Sequence, residues 1–385
     1  MARVLALEPW YGGSHRNFVD GLIAHSRHEF DTVTMTSRFW KWRMQGGAVT
    51  LARKTREVIA GGVLPDVVLA TDMVNVPAFL ALTRDVLPGV PVVAYFHENQ
   101  LTYPLPDGQE RDFTYSYINY LTCLAADRVI FNSAFHRDQF LEALPVLLRA
   151  FPDYTHLNTV KTIREKSEVL HLGMDLRRHD EYRDTRSKAR REVNETLTVL
   201  WNQRWEYDKN PEGFFRLMNR LDDSGYRFNL ILAGEHFEEQ PYEFERAFER
   251  YAERILHYGY AEDFEEYSRL LHRADIVVST SIHEFFGVAV MEAIYCGCHP
   301  LLPNRLSYPE LIPEALRQPL LHAPLLYDDE EDLFRTAGDL LAGRERPLPR
   351  SSLENIPGNL DWGRHVEAYD DVLQEVADRR LTAVV

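Results

Sequence analysis

The stretch IHEFFGVAVMEAI, residues 282–294, carries two glutamates, Glu284 and Glu292, eight positions apart in a largely apolar run. A buried carboxylate is costly unless it is bonded, so either the protein or a ligand must satisfy these two acids. The preceding segment ADIVVSTS predicts a strand, and the following residues predict a helix that begins near Phe286 and Gly287. This order places Glu284 in the turn and Glu292 more than one turn into the helix.

This strand, turn and helix together favour a ligand that carries both phosphates and hydroxyl groups. The free N–H groups of a helix N-terminus can hold phosphate oxygens. Glu284 would then reach a neutral polyol such as a sugar, and Glu292 would accept hydrogen bonds from a ribose diol. In the alternative interpretation Glu284 caps the helix, Glu292 pairs with an arginine, and neither acid needs a ligand.

The same alternation of apolar runs and amphipathic stretches extends along the chain in both directions. Further strands are predicted in the second half by LTVLWNQRW, FNLILAGE, ILHYGY and HPLLPN. In the first half they are predicted by VLALEP, DVVLAT, VPVVAYFHEN and DRVIFNSAF, with a turn directly after VLALEP. Apolar runs closed by polar turns are typical of buried parallel strands, which indicates the α/β class. The simplest architecture is two tandem Rossmann-like, doubly wound domains that face a central cleft.

A polar, charge-dense segment divides the two series of strands. We expect an N-terminal domain over residues 1–175, a linker over 176–195 and a C-terminal domain over 196–360. A last helix over 361–385 is expected to pack back on the N-terminal domain. The linker holds seven cations among its acids between positions 177 and 191, so it is either an RNA-binding stretch or a solvated connection.

The composition is that of a globular protein, and its charge is unevenly distributed. The 385 residues carry a net charge of −16. Residues 1–195 hold 24 cations and 24 acids, whereas residues 196–385 hold 19 and 35. The excess of acids in the second half either serves solubility or means that only the first half can bind a polyanion. Three cysteines without metal-ligand spacing and no apolar run of about 20 residues predict a reducing, cytoplasmic setting without a transmembrane segment.

Small and polar residues follow two predicted strands of the first half, where doubly wound sheets bind ligands. Gly12 and Gly13 come directly after the first strand, and glycines there let the backbone approach a ligand. His97, Glu98 and Asn99 follow the strand VVAYF. The alternatives are an ordinary turn at the glycines and capping roles for the three polar residues.

Two cations follow the first strand of the second half. Arg204 and Lys209, in WNQRWEYDKNP, suit a diphosphate, although a surface pairing with Glu206 and Asp208 is the alternative. Tyr260, in LHYGYAED, could flank the base of a nucleotide, and the base itself stays open. The chain contains no Asp-x-Asp, no P-loop and no His-Glu-x-x-His motif, so we expect no metal site.

The segment EFFGVAVMEAIYCGCHP resembles the Glu-x7-Glu signature of retaining, GT-B-fold glycosyltransferases of family 4. The resemblance extends to the Gly12-Gly13 pair, to His97, to the two cations and to Gly234 in ILAGE. It covers both domains. The interdomain turn Gly173-Met174-Asp175 also matches, but Leu172 stands where the family usually has asparagine, so a polar role at that position is in doubt.

The resemblance implies a nucleotide-sugar transfer that is retaining and independent of metal or other cofactors. It implies that His97 and Glu284 are the catalytic residues and act at the donor sugar. It implies that the donor is held by Gly12, Gly13, Arg204, Lys209, Gly234, Tyr260, Phe286, Gly287 and Glu292. With no evident covalent nucleophile, the departing phosphate would accept the proton of the acceptor.

A more specific resemblance is to the family of tRNA-queuosine mannosyltransferases. It is carried by PWYGGSHRNF, RFWKWRMQG, YFHENQLTYP, ERDFTYSYIN, FNSAFHRDQF and NRLSYPEL, most of which lie outside the general signature. It implies GDP-mannose as the donor and the cyclopentenediol of queuosine in a tRNA as the acceptor.

The acceptor candidates lie in the first half. RFWKWR interleaves cations with aromatic rings, which suits stacking on a splayed base and contact with phosphates, although an amphipathic core edge is the alternative. The candidates are Ser14, His15, Arg38, Trp40, Lys41, Trp42, Arg43, Glu98 and Asn99.

Two other functions remain open. One is a glycosyltransferase that acts on a small molecule, a lipid or a polysaccharide. The other is a non-catalytic module that binds a sugar nucleotide or RNA. The joint presence of both glutamates, both cations and His97 favours an enzyme, and the oligomeric state stays open.

Overall fold

The computed structural model describes residues 1–106, 108–183, 196–234, 242–317 and 319–383. The chain divides into two compact units. The first unit comprises Met1–Met174 with Trp362–Val385, and the second comprises Asp175–Asp361. Each unit contains one six-stranded sheet, and all the strand pairs in both sheets are parallel. The α/β prediction is therefore confirmed.

The first unit is a parallel sheet between layers of helices. Its strands are β1 (Arg3–Tyr11), β2 (Glu29–Thr36), β3 (Val67–Thr71), β4 (Val92–Phe96), β5 (Arg128–Phe131) and β6 (Ser167–Val169). Its helices are α1 (Gly13–His25), α2 (Trp40–Ile59), α3 (Val76–Thr83), α4 (Phe113–Ala125), α5 (Ala134–Arg149), α6 (Thr159–Glu165) and the C-terminal helix (Trp362–Ala383). The strand order β2-β1-β3-β4-β5-β6 reverses direction between β1 and β3, which is where such sheets bind ligands.

The strand β1 extends further than its sequence predicts. The run VLALEP predicts a turn directly after Pro9, but the strand continues to Tyr11. Glu8 is completely buried there, and its carboxylate accepts a hydrogen bond from the backbone N–H of Trp10 at 2.7 Å. Because this acid is bonded inside the fold, it does not interrupt the strand.

The second unit has the same construction with a different strand order. Its strands are β7 (Thr198–Trp201), β8 (Asn229–Ala233), β9 (Ile255–Gly259), β10 (Ile276–Val278), β11 (His299–Pro303) and β12 (Leu326–Tyr327). Its helices are α7 (Pro211–Asp223), α8 (Tyr242–Tyr251), α9 (Phe264–Arg273), α10 (Val288–Tyr295), α11 (Tyr308–Leu311), α12 (Glu314–Arg317), α13 (Glu330–Leu341) and α14 (Arg350–Asn355). The order β12-β11-β10-β7-β8-β9 reverses between β7 and β10, so ligands are expected beside these two strand ends.

Part of the segment expected as a linker is folded. Residues Arg177–Tyr182 form a 3-10 helix, and His179 within it is fully buried beside Phe264 of α9. Short 3-10 helices also occur at Tyr207–Lys209 and Gly358–Leu360. The rest of the expected linker, with four of its seven cations, lies outside the described residues, so its contact with RNA stays a prediction.

The C-terminal helix belongs to the first unit. Trp362, at its start, is buried and lies so close to Gly21 and Gly173 that a Cβ atom at either glycine would overlap its indole. The hydroxyl of Tyr369 donates to the backbone carbonyl of His171 at 2.7 Å and lies 3.1 Å from the hydroxyl of Tyr95. This helix therefore completes the core of the first unit.

No helix within the described residues combines the length and the apolarity that crossing a bilayer requires.

Candidate functional site

Glu284 lies in the turn after β10 and is held by Lys209. One carboxylate oxygen is 3.0 Å from the Lys209 ammonium, and the other accepts the backbone N–H of Phe286 at 3.3 Å. Burial alone would raise the pKa of Glu284, but the charge and hydrogen bond of Lys209 outweigh it and hold that pKa below its usual value. Glu284 is therefore an anion whose side chain is 17% exposed and can still meet a ligand.

Lys209 neutralises two acids rather than one. Its ammonium also lies 3.0 Å from the carboxylate of Asp208, which is almost wholly buried. It donates a further hydrogen bond to the backbone carbonyl of His283 at 3.2 Å. Arg204 pairs with Glu206 at 3.3 Å, and its charge also lowers the pKa of Glu284. The ends of β7 and β10 thus bring both predicted cations to the predicted sugar-binding acid.

The helix α10 begins beside this ion pair without a side-chain cap. Its N-cap is Gly287, at φ 96°, a left-handed conformation that favours glycine. Glu284 bonds the N–H of Phe286 outside the helix, so it does not cap α10, and that part of the alternative interpretation is wrong. Phe286 is buried, and its carbonyl accepts the Ser307 hydroxyl at 3.1 Å.

Glu292 lies on α10 and is bonded to a tyrosine. The hydroxyl of Tyr267 donates to one of its carboxylate oxygens at 2.8 Å, and the other oxygen lies 4.0 Å from Nε2 of His179. The Glu292 side chain is 19% exposed, and no arginine pairs with it among the residues that the structure describes. Its second oxygen thus has room for a further hydrogen bond from a ligand.

The two other donor-binding candidates of this unit differ in environment. A Cβ atom at Gly234 would collide with the carbonyl oxygen of Gln203 and lie 2.8 Å from the indole nitrogen of Trp205. Packing within the protein therefore already requires this glycine. Tyr260, just after β9, is 70% exposed and can contact a ligand.

The predicted glycines of the first unit lie at the start of α1. Gly12 is the N-cap, and a Cβ atom there would lie 2.6 Å from that of Ser37, so the connection after β2 requires this glycine. Gly13 has φ +52° and open space around it. No side chain caps α1, and Ser14 in its first turn is exposed.

A buried cluster of ionisable groups occupies the ends of β1, β3 and β4. Glu8 accepts a hydrogen bond from His15 Nδ1 at 3.0 Å, and the ring of His15 lies 4.1 Å from that of His97. Asp72, directly after β3, accepts the backbone N–H of His97 at 2.9 Å. His97 Nε2 is buried without a hydrogen-bond partner among the described residues. His97 thus keeps one ring nitrogen for a ligand.

The charges in this cluster are set by burial and by neighbours. Burial alone would lower the pKa of His15, but the charge and hydrogen bond of Glu8 outweigh it and raise that pKa to about 9. Burial, aided by the charge of His15, lowers the pKa of His97 well below its usual value. Burial raises the pKa of Asp72 to about 8. At neutral pH His15 is therefore a cation beside a neutral His97.

Three of these residues are also close enough to hold a cation. One ligand atom each from Glu8, His15 and His97 lie within 4.8 Å of one another. The chain was expected to have no metal site, and this cluster is the place where that expectation can be tested. The proton that Glu8 holds on His15 competes with any metal, because a histidine ligand must be deprotonated.

The RFWKWR segment divides between surface and interior. Trp40 lies 4.9 Å from the ring of Tyr115, and Arg43 is buried and donates to the carbonyl of Thr36 at 3.0 Å. Arg38 and Lys41 are exposed, and Trp42 is 60% exposed. Trp40 and Arg43 therefore serve the fold, and the other four residues, Phe39 among them, face solvent.

The two acceptor candidates next to His97 also differ. Asn99 is fully buried, and its side-chain oxygen accepts the N–H groups of Leu101 and Thr102 at 3.0 and 2.8 Å. Glu98 is half-buried and accepts a hydrogen bond from the side chain of Gln100 at 2.9 Å. Asn99 thus shapes its own loop, and Glu98 is the more accessible of the two.

Comparison with known proteins places this chain in a family. Residues 3–174 match the family model described as tRNA-queuosine alpha-mannosyltransferase N-terminal, and residues 183–324 match that of glycosyl transferases group 1. The chain is 34% identical to the tRNA-queuosine alpha-mannosyltransferase of Drosophila melanogaster over 314 residues, which cover 81% of this chain and 82% of that protein. The chain belongs to the tRNA-queuosine alpha-mannosyltransferase family.

Solved structures show which fold this queuosine mannosyltransferase family member has. It is similar to sucrose-phosphate synthase from Thermosynechococcus elongatus, with a TM-score of 0.70 at 15% identity over 100% of both chains. It is also similar to Anabaena HepE in complex with UDP, with a TM-score of 0.67 at 15% identity over 97% of this chain and 100% of that one. The fold is that of the GT-B glycosyltransferases.

Several residues of this queuosine mannosyltransferase family member were missed by the sequence analysis. Tyr267 bonds the predicted donor residue Glu292, and Glu8 and Asp72 bond predicted residues of the first unit. Asp208 was named only as the surface partner of a cation; it does pair with Lys209, but it is almost wholly buried. Glu8 and Asp72 could have been found from their positions in the sequence, because each stands at or just beyond a strand whose other residues are apolar. Tyr267 gave no such signal, since its contact depends on how α9 packs beside α10.

Proposed function

We propose that this protein transfers mannose from GDP-mannose to the cyclopentenediol of queuosine in tRNA, with retention of anomeric configuration and without a metal ion. The ion pair of Glu284 with Lys209 at the uncapped start of α10 carries the proposal. It puts an anion for sugar hydroxyls beside cations for a diphosphate. Membership of a family whose Drosophila relative is named for this reaction supports the acceptor and the sugar.

The cations and α10 stabilise the leaving group. Negative charge grows on the diphosphate as the bond from the anomeric carbon to the phosphate oxygen breaks. Lys209, Arg204 and the N–H groups at the start of α10 offset that charge, and such preorganised stabilisation is commonly the largest contribution to catalysis. Lys209 remains paired with Asp208 when a donor hydroxyl engages Glu284, so the site is never left with an unpaired buried charge.

The acceptor proton goes to the departing phosphate. A hydroxyl oxygen of the acceptor bonds to the anomeric carbon on the face from which the phosphate leaves, and its proton passes to the phosphate oxygen. Neutral His97 donates or accepts one hydrogen bond at the donor sugar through Nε2, and Glu292 binds the ribose of the nucleotide. No step of this scheme requires a covalent intermediate or a metal.

The nucleotide and the compartment are part of the proposal. GDP is favoured because the relatives from Drosophila and from Xanthomonas oryzae are both named as mannosyltransferases, the second as one that uses GDP-mannose. That second protein is 23% identical over 181 residues, 46% of this chain and 47% of its own. The cytoplasm is favoured because the three cysteines are free and buried.

The test measures donor choice first and acceptor choice second. Calorimetry with GDP, UDP and ADP in the presence of EDTA identifies the nucleotide. Incubation with GDP-mannose and tRNA that contains or lacks queuosine, followed by mass analysis of the nucleosides, identifies the acceptor. We expect GDP selectivity and one added hexose on queuosine alone. GDP binding with no change in either tRNA contradicts the acceptor and points to a small molecule, lipid or polysaccharide.

A further inference from the structure

Two aromatic rings are exposed at the start of α2, and one of them, the indole of Trp42, lies against Gly46 of the same helix. Phe39, the residue before this helix, is 77% exposed, and Trp42 in the first turn is 60% exposed. Phe39 has φ +56°, a left-handed conformation that is unfavourable for a side chain of this size. Neither exposure nor this conformation stabilises the folded protein, so both features indicate a role outside the core.

A third exposed ring lies at the start of α4, a helix that contacts α2. Phe113 opens α4 and is 49% exposed. The two helix starts are joined because Tyr115 lies 4.9 Å from the ring of Trp40 and its hydroxyl accepts a hydrogen bond from Gln45 at 3.3 Å. The three exposed rings therefore lie at the starts of two helices, α2 and α4, that contact each other.

The charge around these rings suits a polyanion. Arg38 and Lys41 are exposed beside Phe39 and Trp42, and the first turn of α2 contains no acidic residue. One acid beside this junction is Asp112, whose pKa is lowered mainly by its hydrogen bonds to Thr114 and also by the charge of Lys41. Asp112 is partly occupied as the N-cap of α4. Lys41, whose ammonium lies 5.7 Å from the centre of the Trp40 ring, is exposed together with Arg38 and can meet phosphates.

The position of the junction also fits an RNA acceptor. In a parallel sheet, each helix that follows a strand starts at the carboxyl edge. The segment that contains Phe39 follows β2 and the one that leads to Phe113 follows β4, so the rings share this edge with His97. An RNA that stacks on them is held at the edge where the proposed acceptor chemistry takes place.

We propose that Phe39, Trp42 and Phe113 form a stacking platform for unpaired bases of the RNA acceptor, with Arg38 and Lys41 on its phosphates. Aromatic stacking of bases and cation contact with the backbone are the usual means of binding single-stranded RNA. The inference rests on the proposed function, because it takes the acceptor to be a tRNA whose anticodon loop presents unstacked bases. It adds the recognition surface for that loop.

The test replaces each platform ring with leucine, which keeps an apolar side chain but removes the aromatic face. Binding of queuosine-containing tRNA is measured by fluorescence anisotropy at fixed salt. Each of Phe39→Leu, Trp42→Leu and Phe113→Leu is expected to weaken binding about 5-fold to 150-fold, the range for loss of one base stack. Trp42→Phe, which keeps a ring, is expected to retain most of the affinity.

Tyr154 provides the matched control. It is 83% exposed, also has a left-handed backbone at φ +45°, and lies in the connection between α5 and α6. Because α5 runs back from the carboxyl edge, Tyr154 lies towards the opposite edge of the sheet. Tyr154→Leu is expected to leave tRNA affinity unchanged, and an equal loss with this variant overturns the proposal.

Four further readouts separate failure of the platform from failure of the proposed function. GDP affinity and thermal stability are expected to stay unchanged in the leucine variants, since the rings are exposed and lie in the unit without the predicted nucleotide cations. If the wild type transfers mannose to tRNA but all three variants keep the wild-type affinity for tRNA, the platform is rejected and the proposed function stands. Absence of transfer by the wild type rejects the proposed function. Loss of self-association in the variants, with tRNA affinity intact, assigns the rings to a second copy of the chain and rejects the platform.

Discussion

The Lys209 ammonium lies 3.0 Å from the carboxylate of Glu284 and holds it as an anion inside the second unit. The same ammonium lies 3.0 Å from Asp208, so one cation compensates a buried acid, Asp208, and a partly buried one, Glu284. Glu284 is therefore already ionised and paired with Lys209 before a ligand binds to it. It also means that Lys209 cannot be removed without a cost to folding.

The first prediction concerns Lys209 itself. Lys209→Met leaves the buried carboxylate of Asp208 and the partly buried one of Glu284 without their shared cation, and breaking a buried ion pair typically costs about 3–5 kcal/mol. We expect a comparable loss in the free energy of unfolding and loss of GDP binding, measured by urea denaturation and calorimetry. Asp208→Asn is the control, because it leaves Lys209 and Glu284 paired, and its loss of GDP affinity should be far smaller. Equal stability of Lys209→Met and wild type contradicts the charge balance.

The second prediction concerns Glu284. Glu284→Gln keeps the shape but removes the charge that orients the sugar, so the transfer rate should fall about 100-fold to 1000-fold, as for loss of one preorganised polar group. GDP affinity should change little, because the nucleotide meets the cations and Glu292. Single-turnover rates and calorimetry with GDP measure the two quantities separately. A variant that keeps the wild-type rate would show that Glu284 has no part in the transfer.

The third prediction concerns the hydrogen bond between Tyr267 and Glu292. Tyr267→Phe removes a 2.8 Å hydrogen bond, and a typical bond of this kind is worth about 1 kcal/mol. GDP affinity should fall about threefold to tenfold, because Glu292 is no longer fixed for the ribose. Tyr295→Phe is matched to it, since Tyr295 also donates to a carboxylate, that of Asp180 at 3.0 Å. If both variants lose affinity equally, the effect is not specific to Glu292.

The fourth prediction concerns stability against pH. The folded state raises the pKa of His15 to about 9, so its contribution is complete below about pH 6.5 and is lost as the pH rises through about 9. Asp72, with a pKa of about 8, acts in the same direction, because the folded state holds its proton. Thermal unfolding should show the advantage of wild type over His15→Gln shrinking between pH 6.5 and 9, by about 3 kcal/mol. Glu98, His97 and His136 also face this cluster, and Glu8→Gln should abolish the effect if Glu8 is its cause.

The fifth prediction concerns metal. Because Glu8 keeps a proton on His15, the Glu8, His15 and His97 cluster should bind Zn²⁺ weakly at neutral pH. Transfer should be equal before and after dialysis against EDTA, and metal analysis of the purified protein should find no stoichiometric ion. One equivalent of zinc that is lost together with activity would overturn this expectation.

The fold could be predicted because its signals are local. Apolar runs such as VVLAT and VVAYF are fully buried strands, and the polar residues that follow them stand at sheet edges. Membership of the queuosine mannosyltransferase family, predicted from motifs such as PWYGGSHRNF, is confirmed by the 34% identity to the Drosophila protein. The roles of individual site residues stay predictions, although Arg204, Lys209 and Glu284 do lie together.

Side-chain direction could not be predicted in the same way. RFWKWR offers three aromatic and three basic residues, and helical register decides which of them face solvent. That register depends on α2 starting after a left-handed Phe39, which no propensity favours. The contacts of Glu8 could not be predicted either, because its two partners, the backbone N–H of Trp10 and the ring of His15 seven positions later, are brought to it only by the fold.

The C-terminal helix has a consequence for how this protein is made. Trp362 and Tyr369 cover Phe18 and Tyr95 in the first unit, yet the ribosome must first synthesise residues 175–361. At about 5–20 residues per second this takes about 10 to 40 seconds, during which the nascent first unit exposes aromatic surface that chaperones bind. A premature stop codon at position 362 would therefore leave the whole second unit intact and still release a chain whose first unit lacks the helix that completes its core.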